Sequence, residues 1–94
     1  MDETKMIDQE RKAALQIKGM FKDVKEVKIS EPDVNPLRGG VDFGVKVTLT
    51  NGEKDNLGIT LGDKSGYING EKLEEGITNS LVRVVYSNNE EETL

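Results

Sequence analysis

The sequence predicts an α+β fold in which an N-terminal helix packs across one face of a small antiparallel sheet of three to five strands. The first observation is a strict alternation of apolar and polar residues from Val41 to Leu49, which is typical of a strand with one face in a core. The second is the return of this alternation at Leu57, Ile59 and Leu61. The third is an apolar spacing of three and four residues near the start of the chain, which indicates an amphipathic helix.

The predicted helix extends over residues 2–21. Met6, Ile17 and Met20 fall near one stripe of it, and most residues between them are good helix formers. Gly19 is the discordant residue. It indicates either the close approach of another backbone or an early end of the helix.

Shorter elements surround the two central strands. Val24–Ile29 is predicted as a strand, and residues 31–40 form the longest irregular connection because they hold two prolines and two adjacent glycines. Residues 51–56 and 62–66 are predicted turns. Tyr67 is expected to begin a further short strand.

Residues 77–86 fit two periods at once. Ile77 and Leu81 continue a helical stripe, whereas Val82 and Tyr86 are residue types that favour a strand. We expect a helix because the stripe holds over the longer stretch, and the strand interpretation stays open.

These periods predict a core drawn from the helix and from alternate strand positions. Its expected members are Met6, Ile17, Met20, Phe21, Val27, Ile29, Phe43, Val45, Val47, Leu49, Leu57, Ile59, Leu61 and Leu81.

The chain has 94 residues, which predicts one domain over residues 1–86. Residues 87–94 carry three glutamates and no base, and we expect them to form a disordered acidic tail. The net charge of −5 and the absence of a basic stripe argue against nucleic acid as a partner. No apolar run reaches the roughly 18 residues of a membrane-spanning helix, so we expect no membrane insertion by this segment.

The sequence offers no catalytic constellation. It contains no histidine and no cysteine, so thiolate nucleophiles, sulfur-ligated metals and serine–histidine pairs are excluded. Residues 58–65 lack the spacing of a phosphate-binding loop, and residues 63–74 lack ligands that a calcium loop needs. We therefore expect neither an enzyme nor a bound cofactor or metal.

One connection is a candidate interaction loop, because structured surface loops between strands commonly bind partners. Its alternative role is only to turn the chain and blunt an edge strand. The candidate residues are Asn35, Pro36, Leu37, Arg38, Gly39 and Gly40, together with Tyr67.

The order of a helix, the strand Val24–Ser30, Asn35-Pro36, Gly39-Gly40 and an alternating strand resembles an uncharacterised domain of small proteins from Gram-positive bacteria. The resemblance covers about residues 15–70 and ends near Gly66-Tyr67. Many proteins with this domain carry an N-terminal membrane anchor, so the resemblance implies an anchored or secreted, extracytoplasmic protein. Without it, a cytoplasmic location is expected. It implies no catalytic residue.

The predicted function is a non-catalytic module that binds a protein or peptide partner through a sheet edge or through residues 31–40. Self-association through an open edge strand, giving a homo-oligomer, is one form of this function. The alternative is a domain that binds a small ligand or, weakly, a cation.

Overall fold

The computed structural model describes residues 3–30, 33–35, 40–69 and 72–94. One helix, α1, spans Glu3–Lys18. Seven strands follow it: β1 (Val24–Ile29), β2 (Asp33–Asn35), β3 (Gly40–Leu49), β4 (Lys54–Thr60), β5 (Asp63–Asn69), β6 (Arg83–Val85) and β7 (Glu91–Thr93).

The strands form one sheet in the order β5-β4-β3-β1-β6-β7, and β2 pairs with β3 beside β1. The prediction of an α+β fold with an N-terminal helix on a sheet is confirmed. Four strands have six residues or more, which lies within the predicted three to five. Three further strands of three residues each bring the sheet to seven strands. The sheet is mixed rather than wholly antiparallel, because β1 and β6 run parallel. A parallel pair needs a long connection, which residues between β1 and β6 supply.

The alternation in β3 sets the two faces of the sheet as predicted. Phe43 is 2% exposed and Val47 is fully buried, whereas Lys46 between them is exposed. The inward side chains of β3 and β4 belong to the same hydrophobic core as Ala13 and Ile17 of α1. Burial of these apolar surfaces is the main force that holds the helix on the sheet.

In β1 the buried residues Val24 and Val27 are three positions apart rather than two. The pairing register with β3 shifts between Val24 and Glu26, which marks a β-bulge. The extra residue of a bulge resets the alternation, so both valines point to the same side.

The helix ends earlier than predicted, at Lys18 rather than Phe21. The Thr78 N–H donates to the Lys18 carbonyl at 2.9 Å, and the Thr78 Oγ1 donates to the Phe21 carbonyl at 2.8 Å. The first satisfies the carbonyl of the last helical residue, which the helix end leaves free, and the second binds the backbone of Phe21 just beyond it. Asp23, with φ of 60°, then turns the chain into β1.

Residues 77–86 are not a helix, which corrects the sequence expectation. Arg83–Val85 form β6, and Val82, Val84 and Tyr86 are buried with the period of a strand. The strand is favoured because β6 forms backbone hydrogen bonds with both β1 and β7, whereas the apolar residues of this segment form only a weak helical stripe. Leu81 is consequently 73% exposed, so its assignment to the core is wrong.

Residues 87–94 are not a disordered tail. Glu91–Thr93 pair with β6 as β7, and Leu94 packs against the core. The buried Glu10 carboxylate accepts hydrogen bonds from the N–H and Oγ of Ser87, both at 2.8 Å. Local composition is acidic here, but these contacts with α1 and β6 hold the segment in place.

Most of the other predicted core residues are buried, whereas Met6 and Leu61 are half-buried. The apolar residues that the sequence did not assign to the core but that are buried are Ala13, Ala14, Val24, Leu73, Val82, Val84 and Tyr86.

Candidate functional site

The sheet has a face that α1 does not cover. Because α1 packs on the side of Phe43 and Val47, the alternate side chains of β1, β3 and β4 point away from it. Within the described residues no other helix lies over that side. We call it the open face, and it carries Lys28, Ser30, Gly44, Lys46, Asn56 and Gly58.

Two glycines lie directly opposite each other in the middle of the open face. Gly44 of β3 pairs with Gly58 of β4, so neither strand projects a side chain at this point. The result is a shallow depression of about 560 Å³, which we call the glycine furrow. Its lining residues are Lys28, Ile29, Ser30, Gly44, Val45, Lys46, Asn56, Leu57 and Gly58.

Ser30 closes one end of the furrow floor. Its Oγ accepts a hydrogen bond from the Gly44 N–H at 2.9 Å, and its own N–H donates to the Gly44 carbonyl at 2.9 Å. A Cβ atom on Gly44 would lie 3.4 Å from that Oγ, at the close limit of ordinary contact. The side chain of a larger residue at position 44 would therefore fill part of the furrow, next to Ser30.

Two lysines lie next to the glycine pair, also directly opposite each other. Lys28 of β1 pairs with Lys46 of β3, and both are exposed. Neither forms an ion pair with any acidic group in the described part of the chain. Like charges that face each other across a strand pair destabilise a sheet. Their aliphatic stems can nevertheless line the apolar furrow while the ammonium groups stay in water.

The candidate loop predicted from the sequence is placed only in part. Asn35 ends β2 and pairs with Gly40, the first residue of β3. Residues 36–39, which include Pro36, Leu37, Arg38 and Gly39, lie outside the described residues, as does the side chain of Tyr67. The backbone of Tyr67 lies in β5, which β4 separates from β3. The candidate role of this loop therefore stays a prediction.

A polar cluster joins α1 to the C-terminal strand. Arg11 Nε donates to Glu92 Oε1 at 2.7 Å, and Tyr86 OH donates to the same oxygen at 2.6 Å. The hydrogen bond from Arg11, followed by that from Tyr86, lowers the pKa of the Glu92 carboxyl. Burial, with the hydrogen bond to Glu92, raises the pKa of Tyr86 to about 12. Because Arg11 of α1 and Tyr86 both donate to the Glu92 carboxylate of β7, this cluster holds β7 against the helix.

Groups that could bind a metal are absent from residues 3–30, 33–35, 40–69 and 72–94: no three histidine, cysteine, aspartate or glutamate residues there are grouped suitably. No helix in these ranges is long and apolar enough to cross a bilayer.

Sequence reasoning did not single out Lys28, Gly44, Lys46 or Gly58. A partial signal was present, since the alternation in β3 puts Gly44 and Lys46 on the polar side of that strand. Their partners across the sheet follow only from the register.

Comparison with family models, with curated proteins and with solved structures finds no match to this chain. The resemblance to an uncharacterised domain of Gram-positive bacteria, and the extracytoplasmic location it implies, therefore stay predictions.

Proposed function

We propose that the chain is a non-catalytic module that binds an extended peptide segment of a protein partner on the open face of its sheet. The observation that carries the proposal is the glycine furrow. The Gly44–Gly58 pair leaves an apolar floor in the centre of a face that α1 does not cover. Apolar surface that a small domain leaves in water commonly marks an interaction site.

A peptide suits the furrow better than a small ligand does. Its volume of about 560 Å³ lies within the usual range of ligand pockets. Such pockets bury most of the ligand, whereas the furrow is a shallow depression on a sheet surface. An extended segment can lie along it and keep its other side in solvent or in contact with the rest of the partner.

Self-association is the second form of this function, and a specific feature of the sheet favours an edge for it. β5 is the outer strand beyond β4, seven residues long and free of proline. Its outer backbone groups offer hydrogen bonds to a further strand. Face-to-face pairing of two copies is disfavoured, because it would bring the Lys28 and Lys46 pairs of both copies together.

The test is a selection of peptides from a phage-displayed random library on the full chain, with removal of those that bind a Gly44→Val variant. Gly44 does not have a positive φ, so valine is compatible with its strand conformation. Thr48→Ile, on the same face of β3 but outside the furrow lining, is the matched control. If Gly44→Val does not fold, Gly44→Ala takes its place.

We expect peptides that bind the unmodified chain and Thr48→Ile alike but bind the furrow variant at least about tenfold more weakly, a difference of about 1.4 kcal/mol. Amide chemical shifts of Gly44 and Gly58 should change on binding. Failure to select any peptide, or selected peptides that bind all three proteins equally, would contradict the proposal. Sedimentation velocity on the unmodified chain tests the second form.

A further inference from the structure

We infer that the partner segment carries a carboxylate side chain, which Lys28 and Lys46 bind together, with an apolar residue two positions away on the glycine furrow. This inference rests on the proposed function and adds the chemistry of the partner. It is based on charge, register and spacing on the open face.

The lysine pair places two cations without an ion pair directly opposite each other on neighbouring strands. Some cations of the described chain have acidic or carbonyl partners: Arg11 binds Glu92, Lys22 binds Glu74, and Lys18 donates to the Leu94 carbonyl at 3.0 Å. Other described lysines also lack an ion pair, namely Lys12, Lys25, Lys54 and Lys72, but none of these is paired across two strands with another lysine. In the short strands β6 and β7, Arg83 and Glu91 form an ion pair. The chain has 18 acidic residues, yet no described one forms an ion pair with Lys28 or Lys46.

The register places the two ammonium groups within reach of a single anion. Residues directly opposite each other in an antiparallel pair have Cα atoms about 4.5–5.5 Å apart. Lys28 and Lys46 are such a pair. A carboxylate has two oxygens that accept hydrogen bonds, so one Asp or Glu side chain can accept from both lysines.

The furrow lies one step further along the strands. In β3, Gly44 comes two residues before Lys46. In β4, Asn56 lies opposite Lys46, and Gly58, which lies opposite Gly44, comes two residues after Asn56. Two residues of extended chain span about 6.6–6.8 Å. A partner strand that lies over β3 and runs in the opposite direction therefore places its acidic residue over the lysines and its next residue of the same side over the glycines. The expected motif is an acidic residue, any residue, and an apolar residue.

A carboxylate fits this site better than a nucleic-acid backbone does. The chain is acidic overall, with a net charge of −5, and the lysine pair is a local patch rather than a stripe. Nucleic-acid binding relies on many phosphate contacts along a basic surface. A single charged contact beside an apolar floor is the arrangement expected for a short protein motif.

The test uses three capped synthetic octapeptides that differ at one position. Their central residues are Glu-Ser-Leu, Gln-Ser-Leu or Lys-Ser-Leu, and the flanks are Ser and Gly. Each is titrated into the ¹⁵N-labelled full chain while the Gly44 and Gly58 amide signals are followed. The variants are Lys28→Gln/Lys46→Gln and a matched control, Lys12→Gln/Lys72→Gln, which removes the same charge elsewhere.

We expect the Glu peptide to bind the unmodified chain and the control about tenfold more tightly than the Gln peptide, because hydrogen bonds to a charged group are stronger. In Lys28→Gln/Lys46→Gln that preference should disappear, while the Gln peptide binds as before. The preference should also weaken as sodium chloride is raised, because both ammonium groups are exposed.

Three results would overturn the inference. Equal binding of the Glu and Gln peptides would show that the furrow binds peptides without regard to charge, and the proposed function would stand. Equal shifts of both glycine signals with inorganic phosphate alone would show a general anion site. If no peptide shifts either signal, the motif is wrong, and the library selection decides the proposed function separately.

Discussion

Replacing Phe43 and Leu81 with alanine, one at a time, tests the assignment of the two faces most directly. Both residues are core members by sequence pattern. The structure separates them, since Phe43 is 2% exposed on the helix side of β3 and Leu81 is 73% exposed in the segment before β6. The same apolar-to-alanine change should therefore have very different effects on stability.

The expected magnitudes follow from burial. Truncation of a buried phenylalanine to alanine costs about 3–5 kcal/mol, because transfer energy is lost and a cavity remains. A surface truncation usually stays within about 0.5 kcal/mol. A domain of this size lies near the low end of the usual range of about 5–15 kcal/mol. Phe43→Ala should thus leave little net stability, and Leu81→Ala should leave it almost unchanged.

The measurement is urea unfolding followed by far-ultraviolet circular dichroism. With a denaturant dependence of about 2 kcal/mol per molar urea, Phe43→Ala should lower the midpoint by roughly 2 M. If that variant is unfolded without urea, Phe43→Leu should still fold and lose about 1–2 kcal/mol. A Phe43→Ala midpoint within about 0.3 M of the unmodified chain, or a Leu81→Ala loss as large as that of Phe43→Ala, would refute the assigned faces.

Three further predictions concern the C-terminal part of the fold. The pKa of Glu92 is lowered in the folded chain by its hydrogen bond from Arg11, so its contribution to stability is present above its ordinary pKa of 4.5 and is lost as the pH falls through the lower folded value. The urea midpoint of Glu92→Gln should therefore lie below that of the unmodified chain at pH 7, and this difference should shrink as the pH is lowered below 4.5; a difference independent of pH would contradict this. Thr78→Val should lower stability by about 1–3 kcal/mol by the same assay, because the buried N–H of Val24 loses its acceptor at 3.1 Å, whereas Thr78→Ser should retain most of it. Deletion of residues 87–94 should clearly lower the midpoint temperature of thermal unfolding, because β7 and its contacts with α1 are lost. An unchanged midpoint would instead indicate that these residues form a disordered tail.

The candidate site shows where prediction from sequence stops. The alternation in β3 indicates that Gly44 and Lys46 face away from the core. It does not indicate that Gly58 and Lys28 lie opposite them, because a shift of register by two residues would preserve every buried side chain on its face. The furrow exists only in the register that the folded sheet adopts.

Residues 77–86 show the same limit for secondary structure. Their apolar residues fit both a helical stripe and a strand, so the local pattern alone does not decide. Val84 lies opposite Val27 of β1, a residue far away in the chain, and that pairing selects the strand. A three-residue strand such as β6 has no stability of its own, so its partners decide whether it forms.

The sequence by itself determined the α+β class, the presence of an N-terminal helix, and the inward and outward sides of β3 and β4. These properties follow from the geometry of one segment, since side chains repeat every 3.6 residues in a helix and every two in a strand. Only the tertiary structure decided the parallel β1–β6 pair, the ordered C-terminal strand and the glycine furrow with its lysine pair. Those features depend on contacts between distant segments, whose free energy exists only when the whole sheet has assembled.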